Sequence, residues 1–325
     1  MATIYLVWGS TYFGIAVAIE TIPPFLMGAI RFAVAGTMLL AWDWLRQPAG
    51  RRLPTRRELR DSIIVGTLLL GAGNGFVAWG EMTVASGIAA ILIAIIPVWF
   101  AVLGWLYFRD RLPRIVSLAV VIGFAGVALL VWPVGDGANR FDLGGVLILI
   151  VAPLSWAHGS LYAARRAKLP PRPLTASGLQ MLVGAAFLVG AATLAGEPGR
   201  FDVASVSTAS AVALGYLVLF GSMLAFTAYG WLLRHAPLSL VGTYAYVNPV
   251  VAVALGTLVL AEPLSPRTIV ASAVILVAVA IIVTARGRLA TPAPAIPERA
   301  APSPVRPGAT AARVSAAAPP TARSG

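Results

Sequence analysis

One arginine stands alone inside an apolar stretch, and it has the clearest chemistry in the chain. Arg31 lies seven residues after Pro24, within an uncharged run from 24 to 42. A guanidinium presents a planar fork of donors that matches a carboxylate, so Arg31 predicts a binding group for the acid group of a small solute. The structural alternative is that Arg31 pairs with Glu20 or Glu81, or that its side chain extends to the membrane surface.

Aromatic residues form a second candidate group. Tyr5, Trp8 and Tyr12 recur at helical spacing on one face of the first apolar run, and Trp156 is the counterpart of Trp8 in the sixth run. Facing a cavity, these rings would stack on flat solutes and bind cations through their faces. Facing another helix, they would only pack. Both alternatives stay open at this point.

Depth along the runs predicts two polar layers. At about 1.5 Å rise per residue, the side chains of each layer lie roughly 10 Å below one of the two surfaces. The first layer contains Tyr12, Arg31 and Asn74, and the mirrored layer contains His158, Gln180 and Tyr244. A histidine at this depth suits proton coupling, although a hydrogen-bonded structural role is the competing interpretation. Uniport, exchange and histidine-assisted antiport all remain open.

Two prolines are predicted near the middle of their runs. Pro97 and Pro249 each lack a backbone donor, so they mark the transport site, a flexing point or a plain packing kink. Asn248 precedes Pro249 and is polar at the same depth, which predicts a side chain that lines the cavity.

The elements that position these residues follow from composition. Of the 325 residues, 59% are hydrophobic and 11% are charged, and the mean hydropathy is +0.87. These values exclude a soluble globular domain. We expect an all-helical integral membrane protein with ten spans. The predicted spans are 2–19, 24–42, 62–80, 84–108, 115–132, 143–164, 174–196, 208–233, 238–260 and 268–285.

The net charge of +12 is a topology signal. Of the 24 Lys and Arg residues, 20 fall on alternate loops and the tail, three on the opposite loops, and Arg31 within a span. The positive-inside rule then places both termini in the cytoplasm. We expect the protein to lie in the inner membrane, and the basic charge needs no nucleic-acid partner to explain it. The first span begins almost at Met1, so a start further upstream is left open. A homodimer and a coupling proton are also left open.

Other chemistries find little support. The chain has no cysteine and two histidines, and HExxH, GxSxG and Walker A motifs are absent. We expect no metal, no cofactor and no enzyme activity.

The chain repeats internally. Residues 85–133 align without gaps on 237–285, which places Pro97 opposite Pro249 and Asp110 opposite Glu262. We predict a first five-helix unit at 1–133, a linker outside the membrane at 134–142, a second unit at 143–285 and a disordered Ala/Pro/Arg tail in the cytoplasm at 286–325. Since five is odd, the second unit enters the bilayer from the opposite face. Such inverted repeats around a central cavity are typical of alternating-access transporters.

At these residues the chain resembles the EamA branch of the drug/metabolite transporter superfamily, over about residues 4–285. The motifs are Trp8-Gly9-Ser10, the Pro24 to Arg31 spacing, Pro97 with Leu103-Gly104 and Asp110, and their echo Pro249, Leu255-Gly256 and Glu262-Pro263-Leu264. Asp110 with its flanking arginines replaces the family's more usual Glu-Arg, and Arg31 is echoed only by Gln180. The resemblance implies an exporter of amino acids or other small metabolites, or alternatively of cationic amphiphilic drugs. A membrane-embedded enzyme and a channel are the less favoured alternatives.

Overall fold

The computed structural model describes residues 1–46, 52–131, 142–262 and 264–289. Most of the linker predicted at 134–142 and almost all of the predicted tail lie outside these residues. The described chain is helical, with no strand in those ranges. The helices are α1 Ala2–Ala18, α2 Pro24–Leu45, α3 Arg56–Gly80, α4 Ser86–Phe108, α5 Arg114–Val131, α6 Leu143–Arg165, α7 Pro173–Leu194, α8 Thr208–His235, α9 (Leu238–Val241 and Tyr244–Val259) and α10 Pro266–Leu289.

Length and composition suit these helices to a membrane. Seven of them are long and apolar enough to cross it, and the apolar helices α1, α5 and α9 are shorter. Each overlaps one predicted span. Large apolar side chains such as Leu6, Leu194 and Leu258 are exposed on the outer surface, which water would penalise and lipid would accept.

Local sequence signals explain where several helices begin. Thr55 and Glu58 form a reciprocal capping box before α3, in which each side chain accepts a hydrogen bond from the other residue's backbone N–H. Asp142 accepts from the backbone N–H of Gly145 at the start of α6. Pro24 and Pro173 open α2 and α7, where the missing N–H of proline breaks no helical bond.

Four helices depart from regular α-helix in their interiors: α3, α4, α8, and α9, which is interrupted between Val241 and Tyr244. Thr67–Asn74 in α3 and Leu217–Leu224 in α8 are eight-residue π-helical segments whose starts are 150 residues apart. Helix α4 is broken at Ala94 and Ile95, so Pro97 stands in the first turn of its second segment. Pro249 instead lies inside the continuous segment Tyr244–Val259 of α9. The two prolines therefore occupy different backbone settings.

Polar contacts define two ends of the bundle. At the Glu262 end, two acidic side chains bind the starts of neighbouring helices: Glu262 binds Ser86 and Gly87, and Glu197 binds Phe25 and Leu26. Asp142 binds Thr83 in the turn after α3. At the Asp61 end, acidic side chains bind basic and hydroxyl groups: Asp61 binds Arg60 and Tyr162, Asp43 binds Arg172 and Thr175, and Asp110 binds Arg165. Between the ends, α2 packs along α7, α5 along α10, and α1 along α9.

Candidate functional site

Four aromatic side chains meet at the centre of the bundle. Trp8 of α1 lies between Trp156 of α6, Tyr229 of α8 and Tyr244 of α9, with ring centroids 5.4, 4.9 and 5.4 Å away. The two tryptophan rings are nearly perpendicular, at 86°, an arrangement that aromatic pairs favour. This aromatic cluster joins helices from both halves of the chain.

Hydrogen bonds hold these rings in place. The Trp8 indole donates to the Gly221 carbonyl at 3.1 Å, and the Trp156 indole donates to the Tyr229 hydroxyl at 3.1 Å. Ser160 adds a 2.7 Å contact to the same Tyr229 hydroxyl. The Tyr244 hydroxyl is buried and has no hydrogen-bond partner among the described residues, so it is available to a polar atom that enters the site.

Arg31 lies in a polar layer beside the aromatic cluster. It is 3% exposed, its Nε donates to the Ser222 hydroxyl at 2.7 Å, and one terminal nitrogen donates to Asn74 Oδ1 at 3.2 Å. Gly221 makes room for the guanidinium, because a Cβ at that position would lie 2.9 Å from Arg31. No salt bridge among the described residues involves Arg31, and its burial excludes extension to the surface.

A small cavity of about 50 Å³ lies between the aromatic cluster and the polar layer. It has room for a few water molecules and none for an organic solute. Seven of the eleven predicted site residues line it: Trp8, Tyr12, Arg31, Asn74, Trp156, Tyr244 and Asn248. The Asn248 amide, assigned with its nitrogen facing the Tyr5 and Tyr244 carbonyls, donates to them at 3.1 and 3.2 Å.

The remaining four predicted residues lie elsewhere. His158 is exposed on the outside of α6, with its ring centroid 5.2 Å from that of Tyr107. Gln180 is buried where α7 crosses α3, and its backbone packs closely on Gly66. Pro249 is buried in α9 but does not line the cavity, and Pro97 lines a different one.

That second cavity is far larger, about 1480 Å³, and opens at the Asp61 end. Its lining includes Pro97 and Pro237 together with the arginines 109, 111, 114 and 165. The molecule is thus open and basic at this end. At the Glu262 end, the contacts of Glu262 hold α4 against the end of α9.

Glu81, directly after the end of α3, is a buried acid. It is 8% exposed, and neither carboxylate oxygen has a hydrogen-bond partner among the described residues. Burial raises the pKa of the Glu81 carboxyl well above its usual range; the negative charge of Glu262 adds to this rise and the positive charge of Arg31 opposes it.

Sequence reasoning missed several members of the site. Tyr229 completes the aromatic cluster, Thr11 lines the cavity and Ser222 orients Arg31. Ser222 lies within the π-helical segment of α8, and π segments are frequent at functional sites, but the structure and not the sequence reveals this segment. For Tyr229, the repeat offset of 150 residues did offer an aromatic counterpart, Trp79.

Together, the apolar exterior, the spanning helices and the buried polar cavity define a multi-pass helical membrane protein of the transporter class. Comparison with known proteins agrees. The EamA-like transporter family matches residues 1–132 and 143–284, and the chain belongs to that family.

Named relatives are transporters too. The chain is 38% identical to the "uncharacterized inner membrane transporter YedA" of Escherichia coli (strain K12) over 281 residues, 86% of this chain and 88% of the relative. It is 24% identical to an "uncharacterized transporter" of Archaeoglobus fulgidus, covering 86% of this chain and 95% of the relative. A solved crystal structure with 20% identity shares the fold, with a TM-score of 0.63 over 89% of this chain and 96% of that one.

Proposed function

We propose that this protein is a secondary transporter that exports small organic solutes, amino acids or related metabolites, by alternating access. The observation that carries the proposal is Arg31: a buried guanidinium at a cavity between helices of both halves, without a salt bridge among the described residues. A buried charge is costly unless a partner compensates it. A solute carboxylate is a partner that this geometry suits.

The proposed alternating access rests on a duplicated architecture of ten spans in two inverted units. Three observations support it. The π-helical segments of α3 and α8 start 150 residues apart, the family matches two separate ranges of similar length, and Trp8 contacts its counterpart Trp156 at the centre. Two related bundles around one cavity suit a rocking motion that exposes the cavity to each side in turn.

We further propose that the Asp61 end faces the cytoplasm of a bacterial-type inner membrane, with both termini on that side. Loops at this end carry most of the arginines, as the positive-inside rule requires. The large cavity opens at the same end. On this orientation the molecule is open to the cytoplasm, a state suited to loading a solute for export.

A second candidate function is efflux of cationic amphiphiles. The aromatic cluster supports it, because ring faces bind cations and flat apolar groups. Arg31 argues against it, since a buried positive charge repels a cation. Transport of amino acids and of cationic dyes therefore separates the two functions.

The test is solute exchange in proteoliposomes. We expect saturable exchange of amino acids or related carboxylates without chemical change. In Arg31→Gln the apparent affinity for the transported solute should fall about 30-fold or more, because losing one partner of a buried charge pair costs about 2–5 kcal/mol. Arg31→Lys should be intermediate, because lysine keeps the charge and loses the fork.

Arg200→Gln is the matched control. Arg200 is an exposed arginine at the Glu262 end whose guanidinium bonds only to nearby carbonyls of its own loop among the described residues. The exchange rate of the Arg200→Gln variant should equal that of the wild type. Dye transport without amino-acid exchange would replace the metabolite assignment, whereas product formation or unitary currents would indicate an enzyme or a channel.

A further inference from the structure

Glu81 is a buried acid whose carboxyl group makes no hydrogen bond that would stabilise the fold among the described residues. Other buried acids are bonded: Asp61 accepts from Arg60, Tyr162 and the Lys168 backbone, and Glu197 accepts from two backbone N–H groups. Both oxygens of Glu81 lack a donor among the described residues. An ionised carboxylate in this setting is strongly disfavoured, because nothing replaces its lost hydration. The carboxyl is therefore protonated in this state.

The position of Glu81 links it to the solute site. Val77, one turn earlier on α3, lines the small cavity. Charge on Glu81 interacts with Arg31 of α2 and with Tyr12 of α1, and both residues line that cavity. A change in the charge of Glu81 consequently changes the electrostatic potential at the place where a solute carboxylate would bind.

Hydrogen-bonded acids also lie at the same end. Glu262, which follows α9, interacts with Glu81 and accepts hydrogen bonds from Ser86 and from the Gly87 backbone. Asp142, before α6, is bonded to Thr83 and the Gly145 backbone. Both of these side chains accept hydrogen bonds, whereas neither oxygen of Glu81 has a hydrogen-bond partner among the described residues.

We propose that Glu81 is a proton-binding site, and that a proton on Glu81 and an anionic group on Arg31 bind cooperatively. The reason is electrostatic. When Glu81 is ionised, its negative charge offsets that of Arg31 and weakens the attraction of the guanidinium for a solute anion. When Glu81 is protonated, the full charge of Arg31 acts on the solute. By linkage, solute binding then draws a proton onto Glu81 to the same extent.

The inference rests on the proposed carboxylate site at Arg31. It adds that the proton and the anionic group are carried in the same state. Where Glu81 is ionised before the solute arrives, one proton passes from water to a Glu81 oxygen on binding; where it is already protonated, the solute binds without proton transfer.

A binding titration tests the linkage. The probe is the carboxylate solute that exchanges fastest in wild-type proteoliposomes, and its affinity for detergent-solubilised protein is measured between pH 5 and 9 by quenching of tryptophan fluorescence. For the wild type, affinity should rise as pH falls, by up to about tenfold per pH unit where Glu81 titrates. Glu81→Gln, which mimics the protonated form, should bind tightly with no such dependence.

Two variants serve as controls. Glu81→Asp keeps a carboxyl group and should keep the pH dependence. Glu20→Gln removes an exposed carboxyl group at the same end and should behave like the wild type. Affinity that falls with acid, or an unchanged pH dependence in Glu81→Gln, would overturn the linkage while leaving the transporter assignment standing.

A second measurement needs no solute. Infrared difference spectra of the wild-type protein should show the C=O band of a buried protonated carboxyl group at neutral pH, and this band should vanish in Glu81→Gln and persist in Glu20→Gln. A carboxyl group already ionised at pH 6 would contradict the inference. Failure of every carboxylate to exchange or bind would instead count against the proposed function, so the two failures are distinct.

Discussion

Glu262 and Asp110 lie 152 residues apart, each just after a long helix, yet they do opposite things. Glu262 accepts hydrogen bonds from the Ser86 backbone and hydroxyl at 2.8 and 2.7 Å and from the Gly87 backbone at 3.0 Å, which fastens the start of α4 to the end of α9. Asp110 forms a two-pronged pair with Arg165 at 2.8 and 2.7 Å, at the edge of the large cavity.

Under the proposed alternating access, this difference suits one acidic position to two roles in two states. Charge-assisted bonds to backbone N–H groups at a helix start close one end of the bundle. At the other end the acid, Asp110, is held by Arg165. In the opposite state of the proposed cycle, we expect Asp110 to bind the start of α9 and Glu262 to release α4.

Weakening the hydrogen bonds of Glu262 should have the largest effect of the substitutions compared here, and it should act on the opening of the Glu262 end. Glu262→Gln removes the charge from three hydrogen bonds, which together we expect to weaken closure by about 2–4 kcal/mol. The equilibrium population of molecules that are open at the Glu262 end should then rise about 30-fold or more. Because the chain has no cysteine, the rate at which an impermeant thiol reagent labels Val77→Cys from that side measures this opening directly.

Glu20→Gln in the same background is the control and should label slowly. Equal labelling rates with and without Glu262 would show that its hydrogen bonds do not hold this end closed.

Two glycines 150 residues apart sharpen the comparison of the two halves. A Cβ on Gly80 of α3 would lie 2.5 Å from Leu149 Cγ, whereas a Cβ on Gly230 of α8 would lie no closer than 3.7 Å to its nearest neighbour, Ser177 Oγ. Gly80→Ala should therefore destabilise the protein by about 1–3 kcal/mol. Gly230→Ala should be neutral or stabilising by up to about 1 kcal/mol.

Thermal unfolding of the two variants in the same detergent measures this difference. Equal shifts of the midpoint would mean that the two halves pack alike at these positions.

A substitution at the Asp61 end should have the smallest effect on transport. Asp110 and Arg165 are both partly exposed, 25% and 33%, and such pairs contribute at most about 1 kcal/mol. Asp110→Asn should consequently change the exchange rate in proteoliposomes less than about fivefold. An effect larger than that of Glu262→Gln would reverse the proposed roles of the two acids.

The helices were predictable because hydrocarbon excludes charge and demands long apolar runs, so each helix overlaps a run read from the sequence. Seven cavity-lining residues were among those singled out from the sequence, because depth places Tyr12, Arg31 and Asn74 at one level and helical spacing places Trp8 on the face of Tyr12. Depth does not determine the direction in which a residue points. Helical residues advance about 100° each, so His158, two positions after the cavity-lining Trp156, points away from the cavity.

Other features depended on contacts between distant segments. Ser222 and Tyr229 reach the site only because α8 packs against α1 and α6, and no spacing within α8 reveals these partners. Glu81 was interpreted in the sequence only as a partner for Arg31. Its unbonded carboxyl group became evident once the surrounding side chains were placed.

The central claim, that the two ends open in alternation, is most directly tested by distance measurements between pairs of spin labels. One doubly labelled variant carries cysteines at Met82 and Leu264 of the Glu262 end, and the other carries them at Arg111 and Pro237 of the Asp61 end. On adding the transported solute, we predict a population in which the first distance lengthens while the second shortens. Distances that change in the same direction at both ends, or at neither end during active exchange, would contradict the account.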